Sequence, residues 1–261
     1  MAEAGDGAAR AAETLIEEMP ARADFRDFGA DALPDMDAAY DAQTRVAGAL
    51  GPKAGGIGGR KIAFNTPEQM QAMGLSEPCA AVVFKDLIRE SPARFSEGDF
   101  ATFTVEPEIA AILCEDMAPR YGGWDAESAH AAVGRFVPAF EILDRRRFEG
   151  GRPEAIVAAN VFNAGAVLGG PGKAPGEVDF SEIRSVVEAD GETKVDKVDA
   201  APMDPFAAVA FLANRFNRLG QTPRAGEVML LGAHLPPTPV SAPARWRFAL
   251  GPLGEVEFEI A

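Results

Sequence analysis

The feature that most constrains the fold is a series of short, strand-like apolar runs that begins near Lys61 and continues to the end of the chain. Turns rich in glycine, proline and aspartate separate the runs, and helical patterns interrupt them only at 67–73, 127–134 and 205–219. This irregular alternation disfavours a doubly wound sheet and predicts a β-rich, mixed α+β fold. The predicted strands are 61–64, 80–84, 102–113, 137–143, 157–168, 228–231 and 256–260.

The beginning of the chain has a helical pattern instead. Residues 8–18 are rich in alanine and glutamate, and Asp35 is a suitable N-cap for a second helix that extends to the glycine-rich stretch 51–59. Because glycine clusters break regular structure, we place a boundary in that stretch. We therefore predict a small N-terminal helical segment, residues 1–58, followed by one larger domain, residues 59–261.

The charge balance excludes several classes of partner. The chain carries 40 acidic and 25 basic residues, a net charge of −15, which disfavours nucleic acids and anionic membranes. Its two cysteines, Cys79 and Cys114, form neither a CxxC nor a zinc-binding pattern, and the first residues lack the features of a signal peptide. We expect a cytoplasmic protein without disulfides, membrane spans or nucleic-acid ligands.

Three carboxylates stand out against apolar, strand-like sequence. Glu106 and Glu108 flank Pro107, and Glu141 follows about 33 residues after Glu108. Residues two apart on a strand share a face, so Glu106 and Glu108 are predicted to point the same way. Two interpretations of these carboxylates stand at this point. They form a site for a hard divalent cation, or they lie at a solvated strand end. The 255–260 segment, in which acidic and apolar residues alternate, is an example of a strand with a solvated acidic face. Pro107 predicts an edge strand or a strand start, because proline cannot donate to a sheet ladder.

Two further residues are candidates for chemistry. Lys61 enters an apolar strand after a glycine loop, so it is either a buried acid or base with a lowered pKa or a lysine that extends to the surface. His234 follows a predicted strand, and loops at strand ends often line sites.

Five segments, in this order, resemble motifs of the 2-keto-4-pentenoate hydratase and 4-oxalocrotonate decarboxylase family, part of the fumarylacetoacetate hydrolase superfamily. They are Tyr40-Asp41-Ala42-Gln43, Gly59-Arg60-Lys61-Ile62-Ala63-Phe64, Val105-Glu106-Pro107-Glu108-Ile109-Ala110, Val137-Pro138-Ala139-Phe140-Glu141-Ile142 and Gly226-Glu227-Val228-Met229-Leu230. The resemblance runs from about Tyr40 to the end of the chain. It implies that the mixed sheets form a roll, that residues 59–261 are the catalytic domain, and that the protein is a ring-like homo-oligomer.

The resemblance also implies a metal centre. Carried over residue by residue, the ligands of Mg²⁺ or Mn²⁺ are Glu106, Glu108 and Glu141, and Lys61 is the catalytic residue beside them. A 2-oxo acid substrate could then chelate the ion, and its enolate would be stabilised there. The implied activity is that of a metal-dependent lyase, a hydratase in the first place.

The chain departs from the family pattern around the implied substrate pocket. Cys79 stands where the family has an acid, Phe162 where it has a serine and Leu231 where it has a threonine, whereas Asn160 is kept. These four residues and His234 are the predicted pocket. Because polar groups have given way to apolar ones, decarboxylation, hydrolysis of a C–C bond in an acylpyruvate, and a catalytically silent homologue remain alternatives to hydration.

Overall fold

The computed structural model describes residues 2–261, with side chains described from residue 7 onward. Residue 1, the first of the predicted helical segment, lies outside the described residues. The described part contains seven α-helices: α1 (Ala2–Glu18), α2 (Gly29–Ala32), α3 (Met36–Leu50), α4 (Pro67–Met73), α5 (Ala126–Ala132), α6 (Pro153–Ala158) and α7 (Pro205–Arg218). Short 3₁₀ helices occupy Gly51–Ala54, Lys85–Leu87, Glu97–Asp99, Asn160–Phe162, Pro175–Glu177, Phe180–Glu182 and Gly251–Leu253.

The same residues form fourteen strands that build two mixed sheets. The strands are β1 (Ile57–Ala63), β2 (Cys79–Phe84), β3 (Ile88–Glu90), β4 (Ala93–Phe95), β5 (Phe103–Leu113), β6 (Val133–Asp144), β7 (Asn163–Leu168), β8 (Gly170–Pro171), β9 (Arg184–Ala189), β10 (Glu192–Val198), β11 (Val228–Ala233), β12 (Thr238–Pro239), β13 (Ala244–Leu250) and β14 (Gly254–Ile260). The first sheet has the order β2-β1-β11-β5-β6-β7-β3, with β12 beside β5. The second has the order β10-β9-β13-β14-β4, with β8 beside β14. This arrangement confirms the predicted α+β fold with mixed sheets.

Aromatic side chains hold the two sheets together. The ring of Phe140, on β6, lies 5.0 Å from that of Phe258 and 6.0 Å from that of Phe248, on the second sheet. On its other face the first sheet curls, so that Val83 of β2 and Ala166 of β7 belong to one buried cluster. Several residues of this buried cluster are alanines, whose small side chains allow the strands on the concave face to approach one another. The curled sheet is the predicted roll.

Several helix limits agree with the sequence. The Asp35 carboxylate accepts a hydrogen bond from the Ala38 N–H at the start of α3, and Asp204 does the same for Ala207 at the start of α7.

The strand predicted at 157–168 is wrong in its first half, because α6 continues to Ala158 and β7 begins only at Asn163. An unbroken apolar run has no periodicity that separates a buried helix from a buried strand. No helix within 2–261 combines the length and apolarity that a membrane span requires.

Pro107 lies in the middle of a central strand, so the prediction of an edge or a strand start is wrong. Strand β5 pairs with β6 along its length, and Pro107 is opposite Phe140. On its other side the register of β11 shifts between Leu230 and Ala233, and β12 pairs with β5 only at Val105 and Thr104. The missing N–H of Pro107 therefore faces an irregularity in the sheet, where it costs no ladder hydrogen bond.

The N-terminal helices pack on the rest of the chain through α3 and α6. A buried cluster joins Leu15 of α1 and Val46 of α3 to Ala158 of α6. The buried amide of Gln43 donates to the carbonyls of Ala80, on β2, and Val157, on α6, over 3.0 and 2.8 Å. The division into 1–58 and 59–261 stays a prediction, and this contact links its two parts.

We predict that Gln43→Ala lowers the free energy of unfolding by about 2 to 4 kcal/mol, because two buried carbonyls lose their donor. Urea unfolding followed by circular dichroism measures the change. Gln71→Ala, at an exposed position of α4, is the control and should change stability by less than about 0.5 kcal/mol. Equal effects of the two substitutions would contradict the assigned role of Gln43.

Candidate metal centre

Strands β5 and β6 bring three carboxylates together on the concave face of the first sheet. Glu106 and Glu108 are two residues apart on β5, and Glu141 is directly opposite Glu106 on β6. One oxygen atom of each side chain lies within 4.8 Å of the others. Directly opposed residues of an antiparallel pair have adjacent side chains, so the register of the two strands brings the carboxylates together.

Each carboxylate has few partners inside the protein. Glu141 Oε1 accepts a hydrogen bond from Asn163 Nδ2 over 2.8 Å and lies 3.1 Å from Lys61 Nζ. Glu108 Oε2 accepts from the Gly232 N–H over 2.8 Å. The other oxygen of Glu141 is buried without a hydrogen-bond partner. Such an oxygen, in a group of three buried acids, is a suitable ligand for a cation.

The charges in this group perturb one another. Burial, together with the negative charge of Glu141, raises the pKa of Glu106 to about 8, and burial with both neighbouring carboxylates raises the pKa of Glu108 well above its usual range. For Lys61 the effect of burial is the largest single cause and would lower the pKa. The three carboxylates together outweigh it and raise the pKa. Lys61 is buried, which contradicts the interpretation of a lysine that extends to the surface. Its pKa is raised and not lowered as the other interpretation has it, because three acids surround one ammonium group.

This arrangement fits a divalent cation with oxygen ligands. Three carboxylates supply three negative charges, of which Lys61 balances only one. A bound Mg²⁺ or Mn²⁺ ion would offset the repulsion that raises the pKa values of Glu106 and Glu108. Three protein ligands would also leave positions on the ion open for other oxygen ligands, such as those of a small acid.

A cavity of about 300 Å³ opens beside the carboxylates. Lys61, Glu106 and Glu108 line its polar end, whereas Phe162 belongs to a largely apolar wall. The structure thus brings together the predicted ligands, the predicted catalytic lysine and one of the five predicted pocket residues.

The other four predicted pocket residues do not belong to the cavity lining that the described residues form. Cys79 is buried beside Tyr40, and its burial raises the pKa of the thiol to about 11. Leu231 points into the core between the sheets, because alternate residues of β11 face opposite sides.

His234 and Asn160 have structural contacts. The His234 N–H donates to the Pro107 carbonyl, and its Nδ1 lies 2.7 Å from Ser185 Oγ on the second sheet. Burial lowers the pKa of this imidazole to about 4, so the ring is neutral at pH 7. The Asn160 side chain accepts from the N–H of Val82 and donates to its carbonyl, over 3.0 and 2.9 Å.

Three residues at the site were not predicted as site residues. Asn163 orients Glu141, Gly232 binds Glu108 through its backbone, and Arg145 lines the cavity. Gly232 has φ +110°, and a Cβ there would lie 2.3 Å from the amide nitrogen of Asn65, so the position requires glycine. The only available signal for Asn163 was an amide that interrupts an apolar run.

Comparisons with known proteins agree with this geometry. A 2-keto-4-pentenoate hydratase from Burkholderia vietnamiensis is 31% identical to the chain over 201 residues, 76% of each protein. A 4-oxalocrotonate decarboxylase from a Pseudomonas species is 29% identical over 178 residues, 67% of each protein. The solved structure of 4-oxalocrotonate decarboxylase from Pseudomonas putida G7, complexed with magnesium and adipate, covers 98% of both chains with a TM-score of 0.89 at 21% identity, which confirms the fold. No protein-family model matches the chain.

We predict that the metal-free protein loses stability as the pH rises from about 5 to about 8. A carboxyl group with a raised pKa stabilises the folded state below its unfolded pKa, and this contribution disappears as the pH rises through the folded value of about 8. One such group changes the unfolding free energy by at most about 1.4 kcal/mol per pH unit.

Urea unfolding in the presence of a chelator, at several pH values, measures this slope. In Glu106→Gln the slope should be smaller, because the amide does not titrate. Identical slopes in the two proteins would show that Glu106 does not carry the raised pKa.

Proposed function

Because the chain belongs to the 2-keto-4-pentenoate hydratase and 4-oxalocrotonate decarboxylase family, we propose that it is a divalent-metal-dependent lyase that acts on a 2-oxo acid or its enol. The observation that carries this proposal is the group of Glu106, Glu108 and Glu141 with Lys61 beside a cavity. Hydration of a 2-oxoalkenoate is the reaction we favour, since a relative above 30% identity bears the name of that activity.

We propose that Glu106, Glu108 and Glu141 hold Mg²⁺ or Mn²⁺. The unpartnered oxygen of Glu141 and the raised pKa values of the other two acids support this assignment. When bound, the ion would supply Lewis acidity that stabilises negative charge on the keto oxygen of a 2-oxo acid. Asn163 and the Gly232 N–H hold two of the carboxylates in place, so the ligand set is preorganised.

Lys61 is the proposed catalytic residue. Its Nζ lies 3.1 Å from Glu141, and the surrounding carboxylates keep it protonated. A protonated Nζ at the end of the cavity can orient an anionic oxygen of the substrate and can give a proton to the substrate carbon chain.

Decarboxylation is the second candidate. A 4-oxalocrotonate decarboxylase is among the relatives, and it matches 67% of this chain. Both reactions pass through an enolate of a 2-oxo acid, so the polar end of the cavity serves either. Cleavage of an acylpyruvate is the third candidate. The products distinguish the three reactions.

We also propose a cytoplasmic homo-oligomer. The two cysteines, Cys79 and Cys114, are both free thiols, which fits a reducing compartment. The oligomer is an expectation from the family resemblance, and size-exclusion chromatography with light scattering measures it directly.

We predict that Glu108→Gln weakens Mg²⁺ binding by about tenfold or more. Mutation of a residue that only supports a metal ligand typically costs about tenfold or more in metal affinity, and Glu108 is itself a proposed ligand. Isothermal titration calorimetry at neutral pH measures the affinity. Glu259→Gln, on the exposed face of β14, is the matched control and should leave the affinity unchanged. If wild-type protein and Glu108→Gln bind Mg²⁺ equally weakly, the ligand assignment is wrong.

We predict that Lys61→Met lowers kcat by about 100-fold or more, the usual contribution of a general acid or base, while Mg²⁺ binding persists. A panel of 2-oxoalkenoates, followed by the ultraviolet absorbance of the enol and by product identification, measures turnover. Lys53→Met, at an exposed position, is the control. Wild-type turnover no faster than the metal-free blank would favour the silent homologue instead.

A further inference from the structure

The cavity beside the carboxylates has two ends of different chemistry. Its charged lining residues are Lys61, Glu106, Glu108 and Arg145, and the charge of Arg145 also acts on Glu106. Much of the remaining wall is apolar and includes Leu143, Phe148, Ile156, Val161 and Phe162, whereas Asn65, Thr66 and Gln69 are its polar members. A volume of about 300 Å³ is at the small end of the range for ligand pockets. The space therefore suits a small acid with a compact apolar end.

Two aromatic rings, Phe148 and Phe162, line this apolar part of the cavity, and Phe25 packs behind them, outside the lining. Phe25, Phe148 and Phe162 contact one another, with ring centroids 5.1 to 5.2 Å apart. The backbone of Gly151 packs so closely on Phe25 that a Cβ there would lie 2.7 Å from the ring. Phe25 packs edge to face on the other two rings, which are tilted to each other, and these contacts support the wall without a ligand.

The backbone that carries Phe162 is strained. Asn160, Val161 and Phe162 all have positive φ angles, of 55°, 47° and 61°, in a region that a β-branched residue such as Val161 rarely adopts. The two hydrogen bonds between Asn160 and Val82 hold this turn against the edge of β2. Strain of this kind persists where the surrounding structure enforces it, and it clusters at ligand sites. The turn places Val161 and Phe162 in the cavity wall.

Resting on the proposed function, we propose that the substrate is a 2-oxo monocarboxylic acid whose far end is an apolar group no larger than one phenyl ring. Phe148 and Phe162 are the specificity-determining residues, because they form the wall that this group would contact. Asn160 acts as a positioning residue through the turn that it holds.

Arg145, together with the polar lining residues Asn65, Thr66 and Gln69, would suit a second carboxylate instead. The guanidinium carbon of Arg145 lies 4.8 Å from the ring centroid of Phe148 and 6.0 Å from that of Phe162, so its faces are directed at aromatic rings. Three carboxylates, Lys61, Arg145 and a divalent ion would leave one net positive charge. A monocarboxylate neutralises this charge, whereas a dicarboxylate would leave an uncompensated negative charge in a buried site.

Phe162 also lines a second cavity, of about 590 Å³. Met19, Leu50, Arg89 and Asn163 are among the residues around it. Phe162 thus belongs to the lining of both cavities.

Calorimetry on Mg²⁺-loaded protein with three saturated acids tests the proposal. 2-Oxobutanoate, 2-oxo-4-phenylbutanoate and 2-oxoglutarate share the 2-oxo acid head and carry hydrogen, phenyl or carboxylate at C4. We expect the phenyl compound to bind about tenfold or more tightly than 2-oxobutanoate, because its ring leaves water. We expect 2-oxoglutarate to bind no more tightly than 2-oxobutanoate. Tightest binding of 2-oxoglutarate, or equal binding of the phenyl compound and 2-oxobutanoate, would overturn the proposal.

Two variants assign the preference to the wall. Phe162→Ser and Phe148→Ser should each remove most of the roughly tenfold advantage of the phenyl compound and leave 2-oxobutanoate within about threefold. Phe148 lies outside the strained turn, so it serves as the test if Phe162→Ser fails to fold. Phe180→Leu, a partly buried aromatic position outside the cavity, should change neither affinity. An unchanged advantage in Phe148→Ser and in any folded Phe162→Ser would overturn the assignment.

Failure of the proposed function gives a different result. In that case neither oxalate nor any of the three 2-oxo acids would bind in the presence of Mg²⁺, and this inference would fail with it. Binding of oxalate and 2-oxobutanoate without a phenyl preference would leave the proposed function standing and would refute only the substrate class.

Discussion

The repulsion among three buried carboxylates is the constraint on which the rest of the structure depends. Glu106, Glu108 and Glu141 face one another on the concave side of a curled sheet, where water cannot screen their charges. Lys61 balances one of them, and burial, together with the remaining negative charge, raises the pKa values of Glu106 and Glu108. The elements around the group act to hold it in place. The register of β5 and β6 opposes two of the acids, the irregularity in β11 turns the Gly232 N–H toward Glu108, and Asn163 begins the neighbouring strand.

The ionisable groups of the site and part of its apolar wall lie on different kinds of element. The strands of the first sheet carry the ionisable groups, whose positions follow from the ladder and tolerate little movement. Part of the apolar wall comes instead from segments between strands, such as the turn at 160–162 and the loop that carries Phe148. Loops can change in sequence without disturbing a ladder, so this part of the wall can vary while the metal centre stays the same.

The sequence predicted the parts of the site that depend on local periodicity. The two-residue repeat of a strand is enough to place Glu106 and Glu108 on one face, and N-caps such as Asp35 locate helix starts. The pairing with Glu141 needed the register of two strands, which only the family resemblance supplied. Contacts between distant segments could not be predicted. The bridge from Asn160 to Val82 spans 78 residues, and the break in β11 that accommodates Pro107 has no signature in β5 itself. For the same reason His234, beside the site in sequence, has its ring in contact with the second sheet.

The position of Phe162 in the linings of two cavities has a consequence for how this protein could change over generations. The smaller cavity lies beside the carboxylates and the larger one shares this residue with it, so a smaller side chain at this position could connect the two spaces. A change of one codon at this position could lengthen the accessible space without moving a strand or a carboxylate. New substrates of greater length would then be open to selection while the catalytic groups stayed unaltered.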